Sequence, residues 1–552
     1  MSEFGLDLII VGIYFVVIIG IGLYAARGQK TIQSYALGNR SMPWWAVLAS
    51  ILASEISAGT FLGTPGEGFA KRNFIYAQLV IGTILARLLV AAIFIKPFYH
   101  YNVVSIYEFL EIRFGRLTRQ VASFVFLLTR SLASGSRIFI AAILLVLAWE
   151  VIHPEFMQMS AQERFTQELW IYAGAVVLIT GLTALYTTFG GIKAVVWTDL
   201  IQVSLMFGAA FYVFFWLLGQ TGGWEGFFSS IKQPAVVDTG LSDYPPLEPA
   251  IREAGGIFGT LFNTAQWTGG AVKSILEQEY TIWAALLGSI FTTLATHGTD
   301  QDMVQRMLTS KDAKRGQRAV IVSGLVDLPV VVGFLAIGIL IWRFYQLNPD
   351  RAPVGDPGIF AWFMVHDLKP GVRGLIAAGL FATAMGSLST ALNALATSFT
   401  KDWYVGIWRP DASPERQMKV ARWSTVAFAV ILTLIGIGTA WVKLKNPELR
   451  IIPIVLGSFG YTYGSLLGIF LVGMVTKNRG NCVGNVIAML AGFFVVGILT
   501  DLPNDVWKMV FDRPLYSNPE WLPLIAFTWR IMAGTLVTVA VALCFTKPKT
   551  VA

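Results

Sequence analysis

An all-α polytopic membrane protein with about thirteen transmembrane helices is the fold class this sequence predicts, from composition, apolar run length and loop charge. Of the 552 residues, 55% are hydrophobic and 13% charged, whereas a soluble domain carries about 25% charged residues. Apolar runs long enough to cross a bilayer recur from end to end and leave no room for a separate soluble domain. The net charge of +8 lies largely in short loops between those runs, which points to a positive-inside membrane protein and away from a nucleic-acid binder. Two cysteines, Cys482 and Cys544, supply neither a disulfide framework nor metal-ligand spacing.

The first run, residues 8–25, follows an acidic start and precedes Arg27 and Lys30. With no basic region ahead of it, it reads as a retained helix and not a cleaved leader. The second run, 45–69, differs in kind, because it carries Glu55, several hydroxyls, glycines and Pro65. In hydrocarbon each freed backbone group and each charge needs a partner. A helix broken here exposes carbonyls and hydroxyls at the midplane, as in the ion and substrate sites of secondary transporters. A kinked packing helix is the plainer alternative. Runs at 74–98, 121–149, 169–186 and 194–218 complete a group of five. A second unusual run, 280–296, leads into the polar stretch 292–301 and opens another group with 319–344, 375–400, 424–441 and 452–475; runs at 483–499 and 524–545 follow.

Alternate loops are basic: Arg27, Lys30 and Arg40; Arg113, Arg116 and Arg119; Lys193; and the clusters at 306–318, 409–422, 477–479 and 547–549. The loops at 150–168 and 224–279 are longer and richer in acids. This alternation predicts a multi-pass cell-membrane protein with the N-terminus outside and the C-terminus cytoplasmic. Interrupted segments at corresponding places in two five-span groups point to inverted repeats and a transport site, although channels also contain interrupted helices. The expected organisation is a leading helix and loop (1–42), a first repeat (43–219), an extracellular loop (220–279), a second repeat (280–475), and two added helices with a cytoplasmic tail (476–552).

Three blocks narrow the class. They are residues 61–67 (Phe-Leu-Gly-Thr-Pro-Gly-Glu), 190–202 (Gly-Gly-Ile-Lys-Ala-Val-Val-Trp-Thr-Asp-Leu-Ile-Gln), and 387–393 (Ser-Leu-Ser-Thr-Ala-Leu-Asn) running on to Phe399-Thr400-Lys401-Asp402. In this order, and with the loop block 105–114, the chain resembles the sodium/solute symporter family. That family includes proline, galactose, sialic-acid, monocarboxylate and iodide transporters. The resemblance implies a LeuT-like five-plus-five inverted repeat with one helix before it and two after. It implies sodium-coupled symport by alternating access, with a small-molecule solute, the sodium ion and the lipid bilayer as partners and no enzymatic chemistry. Carried over by position, the carbonyls of Ala53, Ile56 and Thr383 and the hydroxyl of Ser387 would hold sodium. The family usually has two adjacent hydroxyls on the eighth core helix, and the first position here is Gly386. A water, a neighbouring hydroxyl or the substrate must replace that oxygen, or sodium binds more weakly.

The resemblance also implies a second sodium position at Asp199, Ser389 and Thr390; Asp199 paired with Lys193 or capping a helix start near Trp197 is the structural alternative. Glu55 stands where proline transporters carry an aspartate, and could help hold sodium, bind an amino group, take up a proton or pair with an arginine. Arg137 falls where the sialic-acid transporter clamps a carboxylate, and guanidinium forks suit that task. Arg87 and Arg130 also lie in or near spans. Ser57, Thr60, Gln78, Thr296 and His297 match substrate-contact positions in various branches, and the aromatic platform of the galactose transporter is absent. The implied solute is small, organic and carboxylate-bearing: an acidic sugar, a monocarboxylate or an amino acid. A neutral sugar is the alternative, and a channel or transporter-like receptor the rival class. The scattered histidines and the lack of a phosphate loop argue against a membrane enzyme or an ATP-driven pump.

Overall fold

The computed structural model describes residues 4–27, 29–153, 155–156, 159–232, 275–353, 358–446, 451–511, 513, 515–517 and 523–546. Most of the predicted loop 220–279, and the tail residues Lys547 and Lys549, lie outside the described residues. The principal helices are α1 (Gly5–Ala25), α2 (Trp44–Glu55), α3 (Ala58–Lys71), α4 (Ile75–His100), α5 (Arg116–Ile152), α6 (Ala161–Gln220) and α7 (Ser289–Gly298). They continue with α8 (Gln301–Met307), α9 (Ala313–Leu347), α10 (Val372–Ser398), α11 (Pro414–Lys445), α12 (Ile451–Val475), α13 (Cys482–Leu499) and α14 (Phe527–Leu543). Among the described residues, eight helices are long and apolar enough to cross a membrane, or nine if the bent pair α2–α3 is one span. The predicted runs 169–186 and 194–218 are the two parts of α6, 452–475 and 524–545 overlap α12 and α14, and 280–296 overlaps the short α7 and the turns before it.

The two interrupted runs are broken helices. α2 and α3 meet at 64°, because Ile56 (ψ 84°) and Ser57 (ψ 169°) leave helical geometry. α7 and α8 are separated at Thr299 and Asp300, and the Asp300 carboxylate caps α8 by accepting from the Asp302 N–H at 2.9 Å. Such caps satisfy the first amides of a helix that begins inside the protein.

α6 is two helices joined across a kink at Gly191 (φ 50°, ψ −155°), so the two predicted spans 169–186 and 194–218 lie on either side of it, and the connection is tighter than the 187–193 stretch left between them. That backbone conformation is open to glycine and closed to other residues. A Cβ there would also lie 2.7 Å from the Tyr35 carbonyl oxygen and 2.8 Å from Gln29 Oε1.

Burial ranks the helices. In α10 and the turn that extends it, 83% of the apolar window is buried, against 17% for α1. α10 is therefore the central element and α1 a peripheral one whose apolar side chains face outward. α10 packs against α6, α5 and α1 and against the first half of the broken helix α2. α3 and α9 approach backbone to backbone where Gly68 faces Leu335 and Gly338 faces Pro65, the small-residue contact by which helices associate in lipid.

Gly191→Ala should lower stability by about 1–3 kcal/mol through backbone strain alone. Thermal unfolding in detergent reads this directly. An unchanged melting temperature would mean that the α6 break does not depend on glycine.

Candidate functional site

At the first break the Ser57 N–H donates to the Glu55 carbonyl at 3.0 Å, so the Ala53 carbonyl loses the amide donor that a continuous helix would give it. α10 passes this point at Gly386. An ideal Cβ on Gly386 would lie 3.4 Å from the Ala53 carbonyl oxygen, 3.4 Å from Asp199 Oδ1 and 2.9 Å from Gln202 Oε1. Three oxygens from two helices, α2 and α6, thus converge on α10 where Gly386 has no side chain. Asp199 Oδ1 and Gln202 Oε1 are buried without a hydrogen-bond donor, which is expensive unless a cation or proton donor meets them.

The neighbours aim these groups. Ser50 Oγ donates to the other Asp199 oxygen at 2.5 Å, and Arg306 donates to the Ser50 carbonyl at 2.9 Å. The contact of Asp199 is therefore with Ser50, and among the described residues it forms no ion pair with Lys193. Gln202 donates through Nε2 to the Tyr14 hydroxyl at 3.2 Å, which turns its carbonyl oxygen toward Gly386. Ser389 and Thr390 both donate to the Gly386 carbonyl, at 3.0 and 3.1 Å. Ser387 donates to the Thr383 and Ala384 carbonyls, both at 3.1 Å. Among the described residues no three His, Cys, Asp or Glu side chains gather to hold a transition metal. Mostly neutral oxygens beside one carboxylate suit a hard monovalent cation.

Arg87, Arg130 and Arg137 sit within the helices near the breaks, and their partners sort them. Arg87 is fully buried; it ion-pairs with Glu55, lies 3.6 Å from Asp327 and donates to Ser323 at 2.9 Å. His297 Nε2 stands 3.4 Å from the same Glu55 oxygen. Arg130 pairs with Asp300 at 3.0 Å and with Asp302, and Tyr463 donates to Asp300 at 2.7 Å. Arg137 differs. Among the described residues no carboxylate lies within ion-pair distance of it, and its guanidinium rests 4.8 Å above the Phe459 ring. It lines a narrow cavity with Ala58, Ser134, Ile138, Ala384, Ser387 and Leu388. One cavity therefore joins a guanidinium without a counter-ion, the start of α3 and the Ser387 hydroxyl.

A family model for the sodium:solute symporter family matches residues 35–153 and 156–492. The chain belongs to the sodium:solute symporter family. Its members couple solute movement to sodium, so this is a sodium-coupled secondary transporter of the membrane and not an enzyme. It is 28% identical to the sodium/sialic acid symporter SiaT of Proteus mirabilis, over 93% of this chain and 95% of that one. It is also 28% identical to the sodium/sialic acid symporter NanT of Aliivibrio fischeri (89% and 87%) and 26% identical to the mouse sodium-coupled monocarboxylate transporter 1 (93% and 76%). A solved substrate-bound, outward-open Na+-coupled sialic acid symporter superposes with a TM-score of 0.73 at 25% identity, covering 98% of both chains. That likeness extends end to end and gives this symporter the five-plus-five fold.

The remaining predicted residues fall in different surroundings. Ser57 is buried at the start of α3, Thr60 lies one turn on and is partly exposed, and Thr296 Oγ1 lies 3.0 Å from His297 Nδ1. Gln78 donates to the Tyr280 carbonyl and is not among the cavity-lining residues. Gln202, Ser50 and Asp327 join these surroundings unannounced, and Arg306, expected in a basic loop, is buried in α8 instead. The signal for Gln202 was its place three residues after Asp199 on one helical face; Asp327 was an acid inside an apolar run.

Arg87→Met leaves Asp327 without a cation and Glu55 with His297 alone, both largely buried, and should cost about 3 kcal/mol. Arg137→Met breaks no ion pair and should cost no more than about 1–2 kcal/mol, the worth of its ring contact. Melting temperatures of the solute-free proteins test this ordering, and equal losses would contradict it.

Proposed function

We propose that this symporter imports a small carboxylate-bearing organic solute together with sodium, by alternating access, with its N-terminus outside and its C-terminus in the cytoplasm. The observation that carries the solute class is Arg137. Of Arg87, Arg130 and Arg137 it is the one without a carboxylate partner among the described residues, and it lines the cavity with Ala58 and Ser387. An anion at mid-membrane is costly unless paired, and a guanidinium offers charge with two parallel donors. Glu55 is engaged by Arg87 and His297, so it is a poor receptor for a solute amine. That favours an acidic sugar or monocarboxylate over an amino acid, and two of the relatives bear the name sodium/sialic acid symporter. Ser57, Thr60 and Ser134 supply hydroxyls near the start of α3 and on α5; Gln78, Thr296 and His297 belong to a more distant layer.

The sodium position we propose uses the carbonyls of Ala53, Ile56 and Thr383 and the hydroxyl of Ser387. Gln202 Oε1 takes the place of the hydroxyl that Gly386 lacks. Asp199 with Ser389 and Thr390 forms the second candidate position, meeting the first at Gly386. The repeats span 43–219 and 280–475 around this point, after a leading unit of 1–42 and before 476–552. Basic stretches at 311–318 and 409–422 support the orientation; Arg306, buried in α8, does not belong to them.

Uptake into proteoliposomes should collapse when sodium is replaced by potassium at equal membrane potential, and undiminished uptake would contradict sodium coupling. Arg137→Lys keeps the charge and loses the fork, so solute binding should weaken by about 1.5–3 kcal/mol. A transported neutral sugar with Arg137→Lys harmless would overturn the solute class and leave the symporter intact.

Gln202→Leu should raise the sodium concentration for half-maximal transport severalfold. Adding Gly386→Ser to it returns an oxygen to the same space and should recover part of the loss. Wild-type sodium dependence in Gln202→Leu would remove Gln202 from the site. For the second position, the sodium-to-solute ratio from reversal potentials should fall in Asp199→Asn; a ratio of one in wild type, unchanged in the variant, would leave a single site.

A further inference from the structure

Away from the transport cavity, the first turns of α2 and α9 are held side by side. The Met42 N–H donates to the Thr309 carbonyl at 3.1 Å, and Met42 and Ser310 form an isolated parallel bridge. Between the two turns lies an open cleft of about 450 Å³ lined by Pro43, Trp44, Trp45, Lys314, Arg315 and Arg318. Its ionisable lining is three exposed cations. The neighbouring acid, Asp312, caps α9 by accepting from the Arg315 N–H at 2.9 Å and lies 3.6 Å from the Arg315 guanidinium. One carboxylate therefore stands against three cations.

The rest of the lining is matched to an anion at a water–lipid boundary. Arg318 lies 4.0 Å over the Trp44 ring, and exposed Trp45 packs edge-on against Trp197 at 5.9 Å. Indoles collect at this depth of a bilayer. α2 starts on Pro43, which has no side-chain cap to offer its first amides, and the positive end of a twelve-residue helix dipole adds to the cationic field. Below Arg318 on the same face of α9 come Ile321, Leu325, Leu328 and Val332, spaced three or four apart. Leu325, Leu328 and Val332 are exposed. A cationic cleft with an apolar stripe leading from it has the polarity pattern of a phospholipid.

We propose that this cleft binds the phosphate headgroup of an anionic phospholipid whose acyl chains lie along the Leu325–Val332 stripe. The forked guanidinium donors of Arg315 and Arg318 and the point charge of Lys314 recognise the phosphate. Basic pockets between membrane helices bind anionic headgroups in this way. A free phosphate shares the headgroup chemistry but leaves the stripe uncovered, so the lipid is the occupant the whole surface fits. Bound there, the lipid ties the start of the broken helix α2 to α9, one half of the fold to the other.

The test is native mass spectrometry of the full-length protein in detergent, titrated separately with phosphatidylglycerol, phosphatidylcholine and inorganic phosphate. Wild type should retain phosphatidylglycerol in preference to phosphatidylcholine, and each cation removed should weaken it about fivefold. The triple variant Lys314→Gln/Arg315→Gln/Arg318→Gln should lose it, whereas Lys477→Gln/Arg479→Gln should not. If the triple variant fails to fold, Arg318→Gln alone should still show the single-charge decrease. Equal retention by wild type and variants, or no preference over phosphatidylcholine, would overturn the proposal. So would inorganic phosphate displacing the lipid at comparable concentration, which would indicate a small-anion site.

Discussion

A carbonyl released from a helix inside a membrane has no water to turn to, and that constraint organises this protein. Breaking the first helix at Ile56 and Ser57 strips the Ala53 carbonyl of its amide donor. The surrounding helices bring other oxygens to the same point: Gln202 and Asp199 from α6, with the Gly386 turn of α10 between them. Gly386 matters because it is empty. With a side chain there, Gln202 Oε1 would be crowded out at 2.9 Å. The missing hydroxyl and the inserted carboxamide are two sides of one arrangement. Buried oxygens without donors are tolerated where a cation is to be held.

The charges near the two breaks are paired across helices, and the pairing defines what remains available. Arg87 draws Glu55 of the first broken helix and Asp327 of α9 together, with His297 from the second broken helix against Glu55. Arg130 holds Asp300 and Asp302 at the second break. Arg306 reaches from α8 to the Ser50 carbonyl, and Ser50 in turn holds Asp199. The two broken helices are thus joined directly through Ser50, beside the converging oxygens. Arg306 is two hydrogen bonds from Asp199, by way of Ser50. Arg137 stands outside this network and lines the cavity with Ala58 and Ser387.

Local chemistry made much of this legible in the sequence. Glu55, Ser57 and Gly59 inside an apolar run announce a broken helix, and the polar stretch after Thr292 announces its counterpart. Both breaks fall where those residues stand. The motif at 190–202 placed Asp199 inside a span. Long-range pairing is not legible there: nothing local distinguishes Arg87, bound to an acid 32 residues away, from Arg137, bound to none among the described residues. Gln202 was overlooked because its function depends on the emptiness of Gly386, 184 positions later in the chain. The pair Gly190 and Gly191 marks the join between two spans in the sequence, and in the fold Gly191 alone makes that join.

The central claim is that sodium sits where the released Ala53 carbonyl, Gln202 Oε1 and the eighth core helix meet at Gly386. Paired high-resolution cryo-EM maps of the protein in sodium and in potassium test it most directly. The account predicts compact density within coordination distance of the Ala53 carbonyl and Gln202 Oε1 in the sodium map, absent in the potassium map. Sodium-dependent density away from Gly386, or a Gln202 carboxamide turned aside and unaltered between the two maps, would contradict it.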